Sequence, residues 1–256
     1  GMEAAKLLRA KVQALQVTTS VLTTDLLWPQ LVEFLQRAEI DYLIADQEHG
    51  VHSDTQVAQV CALGRQVGFP VLIRPIDTEA STIRRAIDRG PCGLLLPSIE
   101  SAAELDGVRD SIYMPPRGQR RPGGPGNYWV SDFHYETWKR EIEDDFIILP
   151  QIETRVGLDD VDAIAAHEIT TSIAIGPYDL STDLGVCFEM DHPKMQDAVE
   201  KIRGAGERAG KTMWRIGNGE ALVKEGYHFL CIGTPEGIFR TELSRLNQVT
   251  KSAQKA

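Results

Sequence analysis

Basic residues are in deficit. The chain carries 27 Lys and Arg against 37 Asp and Glu, a formal net charge of −10. No basic stripe for nucleic acid is expected on such a surface. An anionic substrate would need local positive charge from Arg or a metal. Cysteine is scarce too: Cys61, Cys92, Cys187 and Cys231 are far apart, with neither metal-ligand spacing nor a disulfide framework, and read as reduced thiols. No apolar run approaches the roughly 18 residues that cross a bilayer, and no charged-then-apolar leader precedes the first helical stretch. The expectation is a cytoplasmic protein with no membrane partner. Gly1 ahead of Met2 reads as a scar of tag cleavage and is set aside.

What is present suits one large domain over residues 2–256. A chain of 256 residues, 42% hydrophobic and 25% charged, can bury a substantial core. Its length matches a (β/α)8 barrel of about 250 residues. Apolar strand-like runs at about 17–22, 41–45, 71–75, 93–96, 146–151, 170–176, 212–216 and 228–233 alternate with helical patterns at about 26–37, 56–66, 80–89, 101–108, 158–166, 194–209, 219–225 and 237–248. A further helix spans about 4–14. Eight alternating units predict a parallel sheet closed into a TIM barrel, with a doubly wound open sheet as the structural alternative. Between Tyr113 and Tyr128 a Pro/Gly/Arg-rich loop interrupts the pattern, followed by a helical segment over 129–143. Another loop is expected at Pro177–Leu180.

Barrel chemistry sits at the carboxyl ends of the strands. Strand two ends in Asp46-Gln47-Glu48-His49-Gly50, a density of ionisable groups that folding alone does not explain. Strand three ends in Arg74, strand five in Gln151 and Glu153, followed by Arg155, and strand six leads into Tyr178 and Asp179. Glu153 and Asp179, at the ends of adjacent strands, are hard oxygen donors for Mg2+ or Mn2+, or else capping or ion-paired acids. His49 is either a proton acceptor or a structural loop residue. Arg74 can hold a substrate carboxylate or an oxyanion, or pair with Asp46 or Glu48.

Two absences narrow the chemistry further. No Lys falls at the carboxyl end of a strand, so an imine mechanism is not expected. No Walker pattern or dinucleotide fingerprint follows a strand, and no nucleotide cofactor is expected.

Six stretches, Asp46–Gly50, Ile73–Pro75, Ile83–Gly90, Pro115–Arg120, Gln151–Thr154 and Gly176–Ser181, together resemble the HpcH/HpaI aldolase family, in order along most of the chain. The resemblance implies a barrel of the phosphoenolpyruvate/pyruvate superfamily and class II chemistry, the cleavage or formation of a carbon–carbon bond next to pyruvate in 4-hydroxy-2-oxo acids or 2-keto-3-deoxy sugar acids. It implies that Glu153 and Asp179 hold a divalent cation (Mg2+ or Mn2+, with Co2+ or Zn2+ as alternatives) and that Arg74 steadies an enolate. His49, assisted by Asp46 and Asp88, handles the hydroxyl proton, and Gln151 and the backbone around Tyr178 line the substrate pocket. A homo-oligomer, trimer or hexamer, with an exchanged C-terminal helix is also implied. Asp88 is anomalous, because the end of a helix should lie at the face opposite the site. The chain departs from the family at Arg120-Arg121, where Arg-Gly is usual, at Glu39, where Gly is usual, and at Trp214-Arg215, where smaller apolar residues are familiar. The first and third are expected to reshape the pocket for the aldehyde. Competing readings are an acyl-CoA lyase using a basic rim of Arg117, Arg120 and Arg121, a 2-oxo diacid decarboxylase, and a non-catalytic keto-acid-binding oligomer.

Overall fold

Each strand alternates between two apolar environments, and that alternation builds the barrel. The computed structural model describes residues 2–123 and 130–254. Eight parallel strands, β1 (Ser20–Thr23), β2 (Tyr42–Asp46), β3 (Val71–Arg74), β4 (Gly93–Leu96), β5 (Ile147–Ile152), β6 (Ile173–Ile175), β7 (Met213–Ile216) and β8 (Phe229–Cys231), pair in sequence order. The ring closes through Thr18 N–H to His228 O at 2.8 Å and Ile232 N–H to Ser20 O at 2.9 Å. Side chains of one parity, among them Tyr42, Ile44, Leu72, Leu149 and Trp214, fill the barrel interior; those of the other, such as Leu43, Ile73, Ile148 and Ile175, meet the helices. Burial on both faces explains why the strands read as near-continuous apolar runs.

Helix α1 (Glu3–Gln13) seals the N-terminal mouth, placing Ala5, Leu8 and Val12 against the interior cluster. Lys11 pairs with Asp41 at 2.9 Å, and Arg9 donates to Phe146 O at 3.0 Å. The outer layer comprises α2 (Leu31–Arg37), α3 (Asp54–Val67), α4 (Ala80–Asp88), α5 (Ala102–Ile112), α6 (Tyr135–Trp138, continued by a π turn over Lys139–Glu143), α7 (Arg155–Asp159), α8 (Val161–Ala166), α9 (Pro177–Asp183), α10 (Pro193–Arg208), α11 (Gly219–Lys224) and α12 (Pro235–Ala253). Among the described residues no helix is long and apolar enough to cross a membrane.

Two local expectations are corrected. The second helix starts at Leu31 rather than near Leu26, since Pro29 restrains Trp28 from helical backbone. Pro177–Leu180 is the start of α9 rather than a loop: Pro177 occupies a first-turn position where its missing N–H costs nothing. The segment Tyr113–Gly123 has no helix or strand; residues 124–128 of the expected loop, and residue 129 of the expected helical segment, lie outside the described residues.

Candidate active site

The turn after β2 is organised by one buried carboxylate. Asp46 is fully buried and receives five donors. Arg74 Nε and Nη2 reach its two oxygens at 3.0 and 2.8 Å, Thr24 Oγ1 donates to Oδ2 at 3.0 Å, and the backbone N–H groups of Glu48 and His49 donate to Oδ1 at 3.0 and 3.3 Å. Burial alone would raise the Asp46 pKa, but the Arg74 hydrogen bonds and charge and the Thr24 hydroxyl outweigh it and hold the group below its ordinary value. Gly50 is required where it stands, because a Cβ there would lie 2.1 Å from Asp46 O.

Asp46 therefore orients Arg74 and the turn rather than the His49 ring. The carboxylate beside the imidazole is Glu48, with Oε1 at 3.8 Å from His49 Nε2. Glu48 Oε2 also lies 3.2 Å from Arg74 Nε, an ion pair without hydrogen-bond geometry. Burial pushes the Glu48 pKa up against the opposing charges of Arg74 and His49. No sequence signal separates the role of Glu48 from those of Asp46 and His49 in the same turn.

Across the barrel mouth, Glu153 is buried and its pKa is pushed up to about 8, first by burial and then by the charges of Glu48 and Asp179. Ser98, with φ of +44°, turns its N–H onto Glu153 Oε2 at 2.7 Å. Gly176 leaves room for the other oxygen: a Cβ there would lie 2.0 Å from Oε1. Asp179 enters from the first turn of α9. Glu48, His49, Glu153 and Asp179 border one cleft of about 630 Å³, joined at its mouth by Arg155, which pairs with Asp183 at 3.3 Å.

Among the described residues no three His, Cys, Asp or Glu groups converge in metal-binding geometry. The pair of carboxylates still suits a hard cation that keeps most of its shell for water and substrate oxygens. The charge distribution agrees, since Arg74 is already matched by Asp46 and a second cation would offset the repulsion that raises Glu153.

Several residues lie elsewhere. Asp88 ends α4 at the N-terminal face of the barrel and pairs with buried Arg120 at 2.9 Å, so within the chain it does not approach His49. Arg117 lies over Tyr113 and faces Glu143 and Asp144, the residues leading into β5, so it and Arg120 form no basic rim around the cleft. Trp214 points into the barrel interior, its Nε1 donating to Tyr42 Oη at 2.8 Å, and Arg215 lies over Tyr227 on the outer side. Neither Arg120 nor Trp214-Arg215 borders this cleft; Arg215 lines a separate cavity together with Pro177 and Tyr178. The Tyr178 ring is 63% exposed and packs edge-on against Phe188, away from Glu153, which leaves only its first-turn backbone for the site. Gln151 is buried just below the mouth with Oε1 lacking a hydrogen-bond partner.

The sequence profile of the HpcH/HpaI aldolase/citrate lyase family matches residues 21–240. The chain belongs to this family. A hydroxypyruvate/pyruvate aldolase of Pseudomonas aeruginosa is 30% identical over 226 residues, covering 85% of this chain and 83% of that one. A 5-keto-4-deoxy-D-glucarate aldolase of Escherichia fergusonii is 31% identical, covering 85% and 86%. The crystal structure of an HpcH/HpaI aldolase from Desulfitobacterium hafniense superposes with a TM-score of 0.87 at 25% identity, over 95% of this chain and 96% of that one. In this HpcH/HpaI member the shared barrel places the polar turn after β2 beside the carboxylates that follow β5 and β6.

Proposed function

We propose that the protein is a divalent-cation-dependent aldolase that makes or breaks a carbon–carbon bond next to pyruvate, in 4-hydroxy-2-oxo acids or 2-keto-3-deoxy sugar acids. The observation that carries this reading is a carboxylate-anchored arginine, Arg74, that lies 3.2 Å from Glu48, which borders the same cleft as the carboxylate pair Glu153 and Asp179. Relatives that are themselves keto-acid aldolases support it.

Glu153 and Asp179 would hold the cation, Mg2+ or Mn2+ fitting the all-oxygen donors best. When bound, it supplies Lewis-acid stabilisation of negative charge on the keto-acid oxygens. Arg74 gives Nε and one Nη2 hydrogen to Asp46 and keeps its other N–H groups for the oxygen on which enolate charge develops. His49, exposed at the cleft with Glu48 beside it, takes the hydroxyl proton on cleavage and returns it on synthesis. Gln151 and the backbone at the start of α9 are the proposed substrate contacts below and beside this centre.

We also propose self-association. Helix α12 has no buried residue and exposes Phe239, Leu243, Leu246 and Val249 along one stripe. A patch of this kind marks an interface, and a trimer or hexamer would cover it.

The reaction is tested by supplying Mn2+-loaded protein with a panel of 2-keto-3-deoxy sugar acids and 4-hydroxy-2-oxo acids and coupling released pyruvate to a reporting dehydrogenase. Pyruvate release that stops on chelation, and is absent in Glu153→Ala, is the expected outcome. Release that survives Glu153→Ala would reject the assignment of the cation site.

A further inference from the structure

The catalytic turn has a brace that none of its motifs contains. Thr24, just beyond β1, touches the Asp46–Arg74 pair from one side and helix α12 from the other. Its Oγ1 donates to Asp46 Oδ2 at 3.0 Å, the oxygen that also receives Arg74 Nη2 at 2.8 Å. Its carbonyl oxygen lies 2.8 Å from where a Cβ on Gly50 would stand, so its backbone closes the far side of the 46–50 turn. Its N–H donates to Glu236 Oε1 at 3.3 Å, in the first turn of α12.

Arg74 stands between two carboxylates, held by both oxygens of Asp46 and 3.2 Å from Glu48 Oε2. The donors on Asp46 Oδ2 help fix the plane of that carboxylate, and a two-pronged guanidinium contact depends on the plane. With the hydroxyl removed, Oδ2 keeps Arg74 as its one donor, and Glu48 becomes a competitive partner. Glu236 has a matching peculiarity. An acid in the first turn of a helix is accounted for by the helix dipole, but its Oε2 is buried with no hydrogen-bond partner, which the dipole does not require. Its other oxygen holds Thr24.

We propose that Thr24 is a positioning residue for the Arg74 guanidinium and that Glu236 sets Thr24 in place, making the start of α12 part of the active-site scaffold. The proposal rests on the reading of the cleft as an aldolase site. Its test measures exchange of pyruvate methyl protons in deuterated water by Mn2+-loaded wild type, Thr24→Val, Thr24→Ser, Glu236→Ala and the Thr24→Val/Glu236→Ala pair. Crystal structures of the wild type and Thr24→Val accompany the kinetics. Thr24→Val should lower kcat about tenfold, the scale of one lost hydrogen bond to a charged group, with KM within about twofold. Thr24→Ser, which keeps the donor, should stay within about threefold of wild type. Glu236→Ala should also lower kcat and add little in the pair, because both act through one contact. In the Thr24→Val crystal, Arg74 should turn from Asp46 toward Glu48. Wild-type kcat in Thr24→Val with Arg74 unmoved would overturn the proposal, and fully additive losses in the pair would overturn the part assigned to Glu236. If the wild type does not exchange, the aldolase reading fails instead, and the position of Arg74 in the Thr24→Val crystal still decides whether the hydroxyl positions it.

Discussion

Asp46 and Glu153 are both buried carboxylates, and their surroundings drive them in opposite directions. Asp46 is matched by a guanidinium and three further donors; Glu153 faces two other acids and one backbone N–H. Asp46→Ala would leave Arg74 nearly buried and without its hydrogen-bonded carboxylate, with only the ion pair to Glu48 remaining. It should cost about 3 kcal/mol in urea denaturation, the scale of a broken buried pair. For Glu153 the sign is reversed. Between its ordinary value near 4.5 and the raised value of about 8, the folded cation-free protein binds more protons than the unfolded chain. Stability in chelator should therefore fall as pH climbs through that window and level off above it, and Glu153→Gln should flatten this part of the profile. Denaturation midpoints at a series of pH values measure both. Glu39 adds a simpler case. It adopts φ of +60°, a left-handed conformation that Gly takes without strain and that accounts for the Gly usual in the family at this position. Glu39→Gly should stabilise the chain by up to about 1 kcal/mol without altering activity.

At the level of elements, the site depends on backbone positions whose role a motif does not explain. Gly176 is the clearest, since its hydrogen is what allows Glu153 Oε1 to lie against the start of α9. Gly176→Ala should displace the carboxylate and lower Mn2+ affinity at least tenfold by calorimetry, while far-UV circular dichroism stays unchanged. The strands were legible because burial on both faces makes them continuous apolar runs, and the helices because their apolar positions recur at helical spacing. The start of α2 lies past the helical pattern because Pro29 restrains the residue before it, and the start of α9 is hidden because Gly-Pro marks turns as often as helix starts. The ionisable residues collected at the strand ends were legible from the barrel rule alone. Thr24 and Ser98 were not, nor was the room that Gly176, itself inside a motif, leaves for Glu153, because these roles arise from contacts between strands far apart in sequence. The side-chain direction of Tyr178 was hidden for the same reason.

The whole molecule divides its labour between the two ends of the barrel. The C-terminal mouth carries the cleft, while the N-terminal mouth is sealed by α1 and carries the Asp88–Arg120 pair. Helix α12 leaves this body with an apolar stripe uncovered. Phe239→Glu combined with Leu243→Glu should convert an oligomer into a smaller species, read by light scattering coupled to size-exclusion chromatography; an unchanged mass would place the interface elsewhere. Stabilisation of the pyruvate enolate at this mouth is tested most directly by the loss of the pyruvate methyl proton signal in deuterated water with Mg2+, Mn2+ or Co2+ present and no aldehyde added. Exchange should depend on the cation, and Arg74→Lys should slow it at least tenfold. An unchanged methyl signal with all three cations would contradict that stabilisation.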